Sequence, residues 1–146
     1  MATTPDWLEQ FVGFYNQLNI HNLHQLGDVY SEQLEFIDPV HSIQGRQALE
    51  HYFRHAYQRL LYSRFVVKHA VGDGERGFLS WQMQFAHPAI GGGQPQLLDG
   101  CSELVRGADG KVTYHRDYYD LTQLVYQHVP VLSWMTAKVK QKMAQD

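Results

Sequence analysis

Residues 78–86 read FLSWQMQFA, and every second side chain is large and apolar: Leu79, Trp81, Met83 and Phe85. A period of two is typical of a strand with one buried face, because successive side chains of a strand point to opposite sides of the sheet. The stretch therefore predicts a central strand whose apolar face covers a core.

Three neighbouring stretches alternate in the same way. Residues 64–71 precede the central strand, and residues 97–105 and 111–119 follow it. Turn residues separate them, with Gly-Asp-Gly at 72–74 and Gly-Ala-Asp-Gly at 107–110. Consecutive strands of this kind favour an antiparallel meander.

Helical spacing of apolar residues frames these strands. It predicts a first helix over residues 7–18, introduced by Thr4-Pro5-Asp6 as a capped start. A short second helix runs up to about Tyr30, a third covers residues 46–60, and a last helix lies at about 131–144.

The order of these elements predicts the fold class. Clustered helices followed by clustered strands are typical of an α+β protein. We expect one domain over residues 1–146, a cone-shaped curved antiparallel sheet with helices packed on its concave face (an α+β barrel, or cystatin-like roll). The last helix is an addition to it. The mouth of such a cone is a natural ligand pocket.

Composition excludes several classes of function. The net charge is -3 and the basic residues are scattered, whereas a nucleic-acid surface needs a clustered positive patch. No apolar run approaches membrane-spanning length, and the N-terminal residues do not resemble a signal peptide. Cys101 is the single cysteine, which excludes an internal disulfide and fits a reducing compartment. We expect a cytoplasmic protein in which Cys101 is a small buried side chain.

A carboxylate follows the first predicted strand. In LEFID at residues 34–38, Asp38 shares a strand face with Leu34 and Phe36, and Pro39 ends the strand. The pattern directs a charge toward an apolar interior, where ionisation is unfavourable without a partner. Asp38 is therefore either a general base or a satisfied structural acid.

The last predicted strand carries a second set of polar groups. His115, Asp117 and Tyr119 share one of its faces. If this face is turned to the pocket, His115 and Asp117 would form a general acid/base set with Asp38 in mostly apolar surroundings, and Tyr119 would contact the substrate. The alternative is that Arg116 or backbone donors satisfy both acids and the cavity is simply packed. Convergence of the two carboxylates on open volume would favour catalysis.

Other candidates have weaker signals. Tyr15 or Ser102 would donate to a developing oxyanion, although a buried tyrosine such as Tyr15 is more often a core residue. Trp81 would line the pocket wall. His51 and His55 have the spacing of metal ligands on a helix but lack the zincin glutamate, so we expect them to be solvated and the protein to bind no metal.

Two stretches resemble the nuclear transport factor 2-like superfamily, and in particular its SnoaL-like branch of polyketide cyclases and ketosteroid isomerases. The first is FIDPV at residues 36–40, followed by GRQAL at 45–49. The second is GKVTYHRDYYD at 110–120. The resemblance extends over about residues 7–119 and implies the conical α+β fold.

The resemblance also implies roles for particular residues. Asp38 matches the general base of ketosteroid isomerase, while the tyrosine and acid of that enzyme's oxyanion hole fall on Phe14 and Ser102. Asp117 matches an acid of limonene epoxide hydrolase and lies near the acid/base residue of the polyketide cyclases. The arginine and second aspartate of the hydrolase are missing from residues 80–84, which makes epoxide hydrolysis unlikely.

The function implied by the resemblance is a cofactor-independent cyclase or isomerase acting on a hydrophobic carbonyl compound. Asp38 or Asp117 would be the base, and His115 would tune it or relay the proton. A non-catalytic ligand-binding or protein-interaction module of the same fold is the alternative. Members of the family pair through the outer sheet face, so we expect a homodimer with Gln82 and Gln84 near the interface, together with Arg116.

The last helix has an apolar stripe with three lysines beside it. Such a stripe would dock on the protein's own sheet, on a second subunit or on a membrane surface, and three lysines are few for membrane attraction. We expect docking within a dimer. The stripe consists of Val131, Met135, Val139 and Met143.

Overall fold

The computed structural model describes residues 4–121 and 130–145. Three α-helices lie in these ranges: α1 (Asp6–Asn16), α2 (Arg46–Gln58) and α3 (Pro130–Gln145). Two short 3-10 helices cover Leu23–Asp28 and Gly91–Gly93.

Six strands form one sheet. They are β1 (Tyr30–Ile37), β2 (Ser42–Gln44), β3 (Tyr62–Gly72), β4 (Arg76–Ala86), β5 (Gln96–Arg106) and β6 (Val112–Tyr119). Their order is β2-β1-β6-β5-β4-β3. The predicted antiparallel meander is present as β3 to β6, whereas β1 runs parallel to β6 and makes the sheet mixed. The sheet is curved and not closed, and the α+β class is confirmed.

The core lies between the helices and one face of this sheet. On β4, Leu79, Trp81 and Phe85 are buried as the alternation predicts. Phe11 on α1 is 1% exposed, and Leu49 on α2 is fully buried. Burying one such side chain contributes about 1.5–3 kcal/mol, so both helices are held mainly by apolar contacts.

Several local expectations differ from the structure. The second predicted helix is a 3-10 turn that ends at Asp28, and Tyr30 instead opens β1. β1 ends at Ile37, so Asp38 begins the following turn rather than ending the strand. The prediction of a buried Cys101 is wrong: its side chain is exposed, because Ser102 occupies the inner face of β5.

Helix α3 leaves its described apolar side chains in solvent. Met135, Val139 and Met143 are each more than half exposed, and the side chain of Val131 lies outside the described residues. Among the described residues, no helix combines the length and apolar character needed to cross a membrane. Docking of the stripe within a dimer stays a prediction.

Candidate functional site

A cavity of about 410 Å³ lies between α2 and the inner face of the sheet. Both predicted acids, Asp38 and Asp117, line it, as do Trp81 and Tyr119. Most of its remaining wall is aromatic or aliphatic, formed by Phe36, Phe53, Ala56, Leu60, Phe65, Met83, Phe85, Ile90 and Leu98. The two carboxylates therefore meet at one mostly apolar volume.

Asp117 is held by side chains on both sides. Its Oδ1 accepts a hydrogen bond of 2.5 Å from the Ser102 hydroxyl and lies 2.6 Å from Nε2 of His115. Its other oxygen, Oδ2, has no hydrogen-bond partner among the described residues, and the side chain is 14% exposed where it lines the cavity. One carboxylate oxygen is thus anchored while the other is available to a ligand.

The hydrogen positions around Asp117 follow from Trp81. The indole Nε1–H can only donate, and it donates to Ser102 Oγ at 2.8 Å, so the Ser102 hydroxyl hydrogen points to Asp117. An ionised carboxylate can only accept, so a neutral His115 carries its hydrogen on Nε2. The side chains of Ser102 and His115 are buried, which shields both bonds from water.

A buried chain continues from His115 to α1. Nδ1 of His115 lies 2.6 Å from the Tyr30 hydroxyl, which in turn forms a short hydrogen bond with the Tyr15 hydroxyl. With Nδ1 as the acceptor, Tyr30 donates to it and Tyr15 donates to Tyr30. Burial is the main cause that raises the pKa of both tyrosines, so both stay protonated. The two tyrosines thus satisfy Nδ1 of the tautomer that carries its hydrogen on Nε2.

Gly100 makes room for this arrangement. It lies opposite Trp81 across the β4–β5 pair, and a Cβ at that position would lie 2.3 Å from the indole ring. The missing side chain lets the indole lie against β5, where Nε1 reaches Ser102.

Asp38 is held in a different way. Its Oδ1 accepts from the backbone N–H groups of Val40 (2.8 Å) and His41 (2.6 Å), which closes a turn after β1. The Tyr52 hydroxyl donates to Oδ2 at 3.1 Å, and Nδ1 of His41 lies 3.2 Å from Oδ1. The side chain is 4% exposed. Both of its oxygens therefore already have partners.

Three tyrosine hydroxyls line the same cavity as the acids: Tyr52, Tyr57 and Tyr119. Burial is the main cause that raises the pKa of each. The negative charge of Asp38 raises the pKa of Tyr52 and Tyr119 further and Asp117 adds a smaller effect there, whereas Asp117 is the further cause at Tyr57. These hydroxyls therefore remain neutral hydrogen-bond donors at physiological pH.

Some of the site residues predicted from the sequence line the cavity and others do not. His115, Asp117 and Tyr119 share a face of β6, as predicted, and Arg116 on the other face does not contact either acid. Tyr15 does not line the cavity, because its hydroxyl is bound to Tyr30.

Ser102 lies behind Asp117 and does not line the cavity either. Sequence analysis missed Tyr30, Tyr52 and Tyr57. Tyr52 and Tyr57 flank the buried face of α2, and their helical spacing from Leu49 and Phe53 was the available signal. Tyr30 became a site residue only through the pairing of β1 with β6.

The histidines of α2 lie at the surface. His51 and His55 are exposed, as expected, and His55 lies at the rim of the cavity. Within residues 4–121 and 130–145, no group of three histidine, cysteine or acidic side chains is placed to hold a metal ion.

Comparison with known proteins identifies the family. The model of the SnoaL-like domain matches residues 11–115, which is most of the chain. The chain belongs to the SnoaL-like family. No curated protein matches it in sequence.

Solved structures share the fold of this SnoaL-like protein at low sequence identity. A protein of Jannaschia sp. CCS1 described as a SnoaL-like polyketide cyclase has a TM-score of 0.71 at 13% identity, over 88% of this chain and 96% of its own. A similarly described protein of Shewanella putrefaciens CN-32 has a TM-score of 0.70 at 18% identity, over 84% and 95% of the two chains.

A protein of Catenulispora acidiphila with a ketosteroid isomerase-like fold, in complex with trimethylamine, has a TM-score of 0.70 at 15% identity. That match covers 86% of this chain and 94% of its own. At these identities the likeness establishes the nuclear transport factor 2-like fold and leaves the reaction to be argued from the site.

Proposed function

We propose that this SnoaL-like protein is a cofactor-independent acid/base enzyme, a cyclase or isomerase, that moves a proton on a hydrophobic carbonyl compound. Asp117 is the base. The observation that carries the proposal is the asymmetry of its carboxylate, with Oδ1 bound by Ser102 and His115 and Oδ2 at an apolar cavity without a partner among the described residues.

The reaction step uses the available oxygen. Oδ2 of Asp117 takes a proton from the carbon next to the substrate carbonyl, and the electron pair of that C–H bond moves to the carbonyl oxygen to form an enolate. Where a double bond of the substrate extends the enolate, return of the proton from Asp117 to a more distant carbon gives an isomer. Attack of the enolate carbon on a second carbonyl of the same molecule forms the ring bond, and the alkoxide formed on that carbonyl takes the proton from Asp117. His115 holds Asp117 in orientation, and the aromatic wall excludes water from the enolate.

The contacts of the two acids support Asp117 over Asp38. Asp38 is occupied by two backbone N–H groups and by Tyr52, whereas Asp117 is oriented by side chains that leave one oxygen to the cavity. We assign Asp38 to shaping the mouth of the cavity. Tyr119, on the same face of β6 as Asp117, contacts the substrate.

Hydrogen–deuterium exchange tests the proposal without knowledge of the product. The protein is incubated in deuterium oxide with a panel of hydrophobic ketones, and the loss of each α-proton signal is followed by NMR. We expect exchange above the buffer rate for at least one ketone and a loss of about 100- to 10,000-fold in Asp117→Asn. Asp99→Asn is the matched control, because Asp99 is exposed on the other face of the sheet.

The alternative is a non-catalytic module that binds a hydrophobic ligand in the same cavity. The apolar wall and the fully engaged Asp38 favour this reading. It predicts that ketones raise the melting temperature while α-proton exchange stays at the buffer rate. That result would replace the enzyme proposal.

We also propose that the protein works in the cytoplasm as a homodimer joined through the outer sheet face. Phe78 on β4 and Tyr118 on β6 are each 48% exposed on this face, and Leu97 on β5 is 60% exposed. Burial of such a patch in a dimer would remove apolar surface from water. Sedimentation velocity should give a dimer for wild type and a monomer for Tyr118→Asp; a wild-type monomer at high concentration would contradict the proposal.

A further inference from the structure

We propose that the hydroxyl of Tyr57 on α2 is the donor that binds the carbonyl oxygen of the ligand and stabilises the oxyanion formed there. This inference rests on the proposed function and assigns a role that Tyr15 and Ser102 do not fill. Both of those hydroxyls already form hydrogen bonds within the protein, Tyr15 with Tyr30 and Ser102 with Asp117.

The Tyr57 hydroxyl is available to a ligand. It makes no hydrogen bond among the described residues. Among the described residues, Ser80 Oγ is the one fully buried side-chain nitrogen or oxygen without a hydrogen-bond partner. The unbonded Tyr57 hydroxyl is therefore not fully buried, and it is accessible from the cavity that its side chain lines. A neutral hydroxyl in a cavity of low polarity is a strong donor to a developing negative charge.

The position of Tyr57 suits this role. Tyr57 lies on α2, which forms one wall of the cavity, and Asp117 lies on β6, in the sheet that forms the facing wall. Phe53 packs beside its ring, with the ring centroids 6.0 Å apart. The donor and the proposed base thus line one volume from two walls.

The two other cavity tyrosines differ from Tyr57. The hydroxyl of Tyr52 already donates to Asp38. Tyr119 also has a hydroxyl without a partner in the described residues, but it lies on β6, on the same cavity wall as Asp117. Tyr57 is therefore the donor on the facing wall, where a carbonyl held between α2 and Asp117 would meet it.

Substituted naphthols of graded acidity test the inference, because a bound naphtholate mimics an enolate. Their binding to the Asp117→Asn variant is measured, because its neutral amide represents the base after it has taken a proton. Their methyl ethers fill the same volume without forming an oxyanion. We expect Tyr57→Phe in this background to weaken naphtholate binding by about 10- to 100-fold and to leave ether binding unchanged.

The ionised fraction of the bound naphthol, read from its ultraviolet spectrum at saturation, gives a second measurement that does not depend on protein stability. It should fall in Tyr57→Phe. Tyr62→Phe, at an exposed position of β3, is the matched control and should change neither measurement, while Tyr52→Phe and Tyr119→Phe should have smaller effects than Tyr57→Phe. A larger effect of Tyr119→Phe, an equal loss of naphthol and ether binding, or no change in either measurement would overturn the role of Tyr57.

The outcomes separate this inference from the proposed function. If naphthols and ethers bind but Tyr57→Phe changes nothing, only the assignment of Tyr57 falls. If the Tyr57 effect is present but no ketone exchanges its α-protons, the enzyme proposal falls and Tyr57 remains a ligand donor. If neither compound binds to any variant, both fall.

Discussion

Asp38 and Asp117 line one cavity and are both largely buried, but they are held by different parts of the protein. Asp38 takes its hydrogen bonds from the backbone of the turn that it starts, with one more from Tyr52. Asp117 takes its hydrogen bonds from Ser102 and His115, two side chains that are themselves held by further side chains.

Under the proposed function, the difference separates a carboxylate that stabilises a turn from one that acts as the base. A carboxylate that closes a turn is fixed by local chain geometry and stabilises the turn whether or not a ligand is present. A carboxylate oriented through buried side chains has one oxygen free and a defined direction, as a general base requires. The residue that first draws attention in the sequence, Asp38, is therefore the weaker candidate for the base.

The largest expected effect is on the rate of α-proton exchange. Asp38→Asn keeps an acceptor oxygen for Val40 and His41, so we expect its rate to stay within about tenfold of wild type, or about 1.4 kcal/mol in the barrier. Asp117→Asn loses the base and falls much further. The measurement is the NMR exchange assay with the best ketone of the panel. Equal losses in the two variants would show that both carboxylates take part.

A smaller effect is expected on stability when Tyr30 loses its hydroxyl. Tyr30→Phe leaves Nδ1 of His115 and the hydroxyl of Tyr15 without partners in a buried place, which costs about 1–3 kcal/mol in the free energy of unfolding. Urea unfolding measures this loss. Tyr62→Phe is the control, because Tyr62 is exposed on β3. A stability equal to that of the control would mean that the buried chain contributes nothing to the Asp117 side of the site.

Alkaline pH offers the most gradual test. Burial raises the pKa of Tyr57 in the folded protein, so above about pH 10 the unfolded chain releases this proton and the folded chain keeps it. The contribution of this protonated hydroxyl to the free energy of unfolding is fully present below that pH. It is lost as pH rises, by up to about 1.4 kcal/mol per pH unit for one such tyrosine.

We therefore expect urea unfolding from about pH 9 to about pH 11 to give a steeper decline for wild type than for Tyr57→Phe. Tyr62→Phe is again the matched control. Identical slopes for Tyr57→Phe and wild type would mean that the Tyr57 hydroxyl is not desolvated, and would remove its desolvation as a support for the proposed donor role.

Much of the fold was predictable because its signals are local. The alternation of Leu79, Trp81 and Phe85 indicated a half-buried strand, and the spacing in residues 7–18 indicated a helix. Cys101 was misplaced because alternation puts Cys101 and Ser102 on opposite faces but does not say which face is covered. The covered face depends on where α1 and α2 pack.

The amino-acid sequence by itself determined that His115, Asp117 and Tyr119 lie side by side on one face of a strand, since alternation is a property of the backbone. Only the tertiary structure decided their partners. Ser102 meets Asp117 through the register of β5 against β6, and Tyr30 reaches His115 because β1 runs parallel to β6. The first pairing is set by the turn that joins β5 to β6, whereas the second joins residues far apart in the chain and arises from packing of the whole sheet rather than from any local pattern.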